Sequence, residues 1–191
     1  MKLNHLATLA ANWQYHLLVE ETDVDTVLCS FIFLLDQFQK RTEIMSESDL
    51  QDALSIFARF PTPPCAATLG WELLDANFEA GTVQIGFLAK SDFCNPSGYV
   101  QGGFLAAMLD DTMGPAVVVK SRGSMFTPTI NLNVTFIAPA KTGKLVGNGK
   151  IIQQGKSICS LEGELFDESQ NLVARATASS RLVSMAKAVG R

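Results

Sequence analysis

Histidine is almost missing from this 191-residue chain: two occur, His5 and His16, and none follows. That excludes a Ser-His-Asp or Cys-His catalytic arrangement, and a histidine-ligated zinc centre, from everything downstream. Chemistry there must use carboxylates, amides, hydroxyls or backbone groups. Basic runs are missing too, and the net charge is −4. Nucleic acid is therefore excluded as a partner, since phosphate neutralisation needs clustered Lys and Arg. The four cysteines, Cys29, Cys65, Cys94 and Cys159, lie far apart with no C-x-x-C pair. They read as reduced packing residues, not as a disulfide frame or metal site. The longest apolar run, Val27 to Leu35, is about half the ~20 residues a bilayer-crossing helix needs. It follows Glu20, Glu21, Asp23 and Asp25, whereas a signal peptide opens on basic residues. No membrane span is expected, and the cytoplasm is the expected compartment.

What is present is apolar: 47% of the residues are hydrophobic, enough for one sizeable core and an appendage. Residues 1–44 are expected as a helical N-terminal extension, with Leu28, Phe31, Ile32 and Leu35 at helical spacing. Either they are dispensable to the core or they form an arm that covers an apolar surface. The main domain is expected over 45–191. Ser48 and Gln51 form a capping-box pattern ahead of Leu50, Leu54, Phe57 and Ala58, a short amphipathic helix ending before Pro61. Pro61-Thr62-Pro63-Pro64 reads as extended, leading into strands at 66–78 and 82–89 joined by a turn at Ala80-Gly81. Later strands are expected at 129–138, 144–154, 157–167 and 171–183. In the first of these, Ile130, Leu132, Val134 and Phe136 alternate with Asn131, Asn133 and Thr135. Short connections imply antiparallel pairing, so the fold class is α+β, one buried helix against a single antiparallel sheet.

That helix follows the stretch Asn95-Pro96-Ser97-Gly98-Tyr99-Val100-Gln101-Gly102-Gly103. The glycine pair leaves the first-turn N–H groups open to close approach, and their dipole suits a carbonyl gaining negative charge. A tight loop-to-helix junction with no ligand has the same pattern. At 100° per residue, Leu105, Met108, Leu109 and Thr112 share one face. Asp110 points the opposite way, beside Ala106, Ala107 and Gly114, with Asp111 at the boundary. A face so small-sided suits a ligand or another backbone; an ordinary solvated carboxylate is the alternative. Gly102 and Asp110 stand roughly 12 Å apart along one helix. Together they cannot flank one reacting carbon, whereas two antiparallel copies can. If both act, the protein works as a dimer. Gly155-Lys156-Ser157 is not a phosphate loop, because position 150 is lysine and no helix follows.

Asn95, Gly98, Gln101-Gly102-Gly103, Asp110, the run Asn133 to Lys141 and Gly155-Lys156 together resemble the hotdog-fold acyl-CoA thioesterases of the phenylacetate-degradation type, over about residues 60–184. The resemblance implies a long helix wrapped by a six-stranded antiparallel sheet, in homodimers or dimers of dimers. It implies that Asp110 activates water or attacks the thioester, that the Gly102 N–H polarises the carbonyl, and that Asn95 orients water or substrate. Thr129 would support the nucleophilic water. Gly103, Gly155, Lys156 and Ser157 would contact substrate, and no metal or dissociable cofactor is implied. Relatives commonly carry His-Gly-Gly; here Gln101 stands first, and an amide cannot exchange protons near neutral pH. It is expected to polarise the carbonyl or cap the helix. Lys156, Arg181, Lys120 and Arg122 are candidates for the CoA phosphates. A module that binds acyl-CoA without turnover is the alternative reading, motivated by Gln101.

Overall fold

The structure, a computed structural model, describes residues 47–189 and Ile32. The chain divides into two units, Met1–Thr42 and Glu43–Arg191. Apart from Ile32, the helix expected around Leu28–Leu35 lies outside the described residues. Residues 47–57 are helical, and Glu47 and Ser48 already belong to the helix, so the Ser48–Gln51 box does not mark its start. Its buried positions are Ala53 and Ile56, while Leu54 is exposed.

The second unit is a six-stranded antiparallel sheet around one long helix. The strands are β1 (Glu72–Asn77), β2 (Thr82–Ala89), β4 (Thr129–Phe136), β5 (Gly143–Gln154), β6 (Ile158–Asp167) and β7 (Leu172–Arg181), in spatial order β1-β2-β5-β6-β7-β4. The central helix (Gly102–Lys120) contributes Leu105, Met108, Leu109, Thr112, Met113 and all of 115–119 to the core. Two short strands, β3 (Met125–Phe126) and β8 (Val183–Ser184), pair separately, and a short helix (Met185–Val189) follows. No sequence signal marked that small sheet: two-residue strands are too short to show a period.

The expected strand over 66–78 is wrong in its first half. Pro64–Leu69 is a helix with proline at its first positions, closed by Gly70 in the left-handed conformation at φ 68°. Proline's fixed φ pre-organises a first helical turn as readily as an extended segment. Gly70 supplies the αL stop, and the strand begins only at Glu72.

Helix and sheet meet at glycine. A Cβ on Gly147 would lie 2.2 Å from Thr112 Oγ1, and one on Gly149 2.5 Å from the Thr112 carbonyl oxygen. Both residues lie on β5, so side-chain-free positions let the helix sink onto the strand. At 19 residues and apolar composition, this helix is long enough by itself to cross a membrane. The expectation of no span, drawn from uninterrupted apolar runs, passed over it. Burial by the sheet accounts for its composition instead, and Asp110 and Asp111 interrupt it mid-length.

Candidate active site

The central helix is not covered all round. Gly103, Ala107 and Asp110 are exposed and Gly114 is half-buried, forming a stripe at spacings of four, three and four residues. Asp110 therefore sits on the uncovered side, opposite Thr112, as its helical angle requires. Its Oδ1 accepts a hydrogen bond from Thr129 Oγ1 at 2.8 Å. Thr129 reaches it through an irregularity in β4: Thr129 pairs with Ser180 and Asn131 with Ser179, so one extra residue stands between them. Such a bulge moves every residue before it to the other face. Thr129 thereby joins Leu132, Val134 and Phe136 on the helix-facing side, and Ile130 is 59% exposed. The alternation expected from sequence, with Ile130 on one face with Leu132, Val134 and Phe136, fails at that residue.

At the helix start, Gln101 is the N-cap, and its Oε1 accepts from the Gly103 N–H at 2.6 Å. Of its two expected roles, capping is the one seen. The Gly103 N–H is thus engaged, whereas the Gly102 N–H has no intrahelical acceptor. Phe136 packs over Gly102: a Cβ there would lie 3.0 Å from the ring's Cζ and 3.3 Å from both Cε atoms. Sequence reading missed this contact, because Phe136 looked like one more sheet residue. Asn95 Oδ1 accepts from the N–H groups of Ser97 (2.9 Å) and Tyr99 (3.3 Å), so its oxygen holds the loop, and its amide N–H groups have no acceptor among the described residues. Phe93 and Phe104 stack at 4.2 Å between ring centroids, fixing that loop to the first helical turn.

Among the four basic candidates, Lys120 is bonded to the Glu79 carbonyl oxygen, and Arg122 lies over the Phe78 ring at 4.4 Å. Both therefore serve the fold. Lys156 and Arg181 are exposed. The Leu182 N–H donates to the Ser157 carbonyl oxygen (2.8 Å), and the Arg181 N–H to that of Pro128 (2.9 Å). Gly155, Lys156 and Ser157 therefore lie at the end of the sheet that carries Thr129. They make no direct bond to Asp110 or Gly102 among the described residues.

Asp111 is the residue that sequence reading underweighted. Burial first, and the Asp110 charge second, push its carboxyl up from 3.8 to about 6. Its Oδ2 is buried and has no hydrogen-bond partner among the described residues.

A family model described as the thioesterase superfamily matches residues 97–174. A phenylacetic acid degradation-related protein of Ralstonia eutropha JMP134 has a solved structure that is 35% identical to the chain, with a TM-score of 0.63. The match covers 68% of this chain and 98% of that one. The E. coli PaaI protein from the phenylacetic acid degradation operon superposes with a TM-score of 0.60 at 19% identity, covering 73% and 96%. A Streptococcus mutans UA159 protein solved with bound acetyl-CoA superposes at 0.54 and 17% identity, covering 60% and 89%.

Proposed function

Because the chain belongs to the thioesterase superfamily, we propose that it hydrolyses acyl-CoA or aryl-CoA thioesters to the free acid and CoA in a site shared by two copies. The observation that carries this reading is Asp110: an exposed carboxylate in a largely apolar helix, oriented by Thr129 and flanked by small residues. With Oδ1 bonded to Thr129, Oδ2 is the atom that takes a proton from water. The water oxygen attacks the thioester carbon, and the Gly102 N–H stabilises the oxyanion. The carbon–sulfur bond then breaks, and the CoA thiolate recovers the proton from Asp110. Gln101 acts by holding the first turn, and Asn95 donates its amide N–H to water or substrate. The acetyl-CoA bound to the Streptococcus mutans neighbour supports a CoA thioester as ligand. Lys156 and Arg181, with the Gly155–Ser157 turn, would meet the CoA phosphates at the Thr129 end of the sheet.

What supports the dimer is β4. It ends the strand order, so its outer edge has no partner among the described residues, and Ile130, Phe136 and Ile137 are exposed along it or just beyond it. Such an edge calls for a cover. Antiparallel pairing of β4 with its copy, about a two-fold axis near Leu132 and Asn133, sets each Thr129 end against the other's Phe136 end. Asp110 of one copy then faces the Gly102 N–H of the other. That removes the ~12 Å separation within one helix.

Asp110→Asn, nearly isosteric but unable to act as a base, should cut thiol release by about 100-fold or more. Full turnover by that variant across short, long and aromatic acyl-CoAs would sink the assignment. The helix-capping Gln101 favours a second reading, acyl-CoA binding without turnover, which tight CoA binding with no thiol release from any substrate would establish.

A further inference from the structure

We infer that Phe136 is a specificity-determining residue that makes the site select apolar acyl groups, an inference that rests on the thioester hydrolysis proposed above. Phe136 is the last residue of β4, on the helix-facing side opposite Ala174, yet it is 53% exposed. Its ring tip presses on Gly102, with three ring atoms within 3.3 Å of where a Cβ would stand. The residue that offers the carbonyl-polarising N–H is therefore walled by an aromatic ring, and no side chain intervenes. A thioester whose oxygen accepts from that N–H has two substituents in the carbonyl plane. In the shared site the sulfur leads towards CoA, whose phosphates are assigned to the copy that supplies Thr129 and Asp110, so the acyl carbon is left on the side of the copy that supplies Gly102 and Phe136. There it meets an apolar surface with no hydrogen-bonding group of its own. An apolar chain or ring gains by covering that surface. A charged acyl tail laid on it would lose water without gaining a partner.

Two measurements test this. The first compares kcat and KM for acetyl-, hexanoyl-, benzoyl- and succinyl-CoA in the wild type, F136A and F136L. Hexanoyl- and benzoyl-CoA should be favoured over acetyl- and succinyl-CoA by the wild type. F136A should narrow that preference by about tenfold, through KM, with F136L in between. The second is a double-mutant cycle. Gly102→Ala keeps the N–H but collides with the ring, so it should cost much more activity alone than in the F136A background. A merely structural role would instead lower all four substrates by one common factor. That result, an unchanged preference, or a Gly102→Ala cost independent of Phe136 would overturn the inference while leaving the thioesterase reading intact. A wild type that releases no thiol from any of the four would overturn both.

Discussion

The indole N–H of Trp71 donates to the backbone oxygen of Asp111 at 3.2 Å, the position to which residue 115 would donate had it an N–H. Residue 115 is proline, inside the central helix, so the Asp111 carbonyl loses its i+4 donor. Trp71, just ahead of β1 and packed on Phe57 with ring centroids 5.3 Å apart, fills the gap from outside the helix. A tertiary contact thus closes a break in the hydrogen-bond ladder one residue from the proposed catalytic acid.

Trp71→Phe keeps an aromatic ring but removes the donor. It should cost about 1 kcal/mol, seen as a lower denaturation midpoint with an unchanged slope in urea. An unaltered midpoint would mean that water replaces the indole without loss.

Asp111 makes stability depend on pH. Its carboxyl is raised from 3.8 to about 6, so between those values the folded state holds a proton that the unfolded state has released. This contribution is fully present below about pH 4 and is lost as the pH rises through about 6. Asp111→Asn should remove that slope. Melting temperatures measured from pH 4 to 8 should show the variant gaining on the wild type as the pH rises. Parallel curves would show that Asp111 titrates normally.

Thr129→Val preserves shape and deletes the hydroxyl that holds Asp110 Oδ1. It should lower kcat by about 10- to 100-fold with little change in KM, because a misdirected base affects the reacting geometry more than substrate binding. Thr129→Ser should retain most activity. Equal activity in both variants would make the hydroxyl incidental.

Gly149→Ala drives a methyl group to 2.5 Å from the Thr112 carbonyl oxygen, a backbone atom that cannot swing aside. About 2 kcal/mol or more of stability should be lost, measurable by thermal or urea unfolding. A variant as stable as the wild type would show that helix and sheet are less closely packed.

Local pattern along the chain is enough for the central helix, the hairpin β1–β2 and the antiparallel run of β5, β6 and β7. Each has its own period, or a glycine or proline at its end, so near neighbours in the chain suffice to read it. Asp110 was legible in the same way, because its angle from Leu109 and Thr112 follows from helical geometry alone. The other features depend on contacts between distant parts of the chain. The segment Pro63–Gly70 admits an extended or a helical reading, and the fold took the helix. Thr129 was expected only through a family resemblance, since strict alternation turns it away from Asp110. A single bulge against Ser180 and Ser179 turned it inward. Phe136 meets Gly102 across 34 residues of chain, and no periodicity spans that distance. Bulges and ring-on-glycine contacts depend on what lies across the sheet, which one strand's residues do not encode.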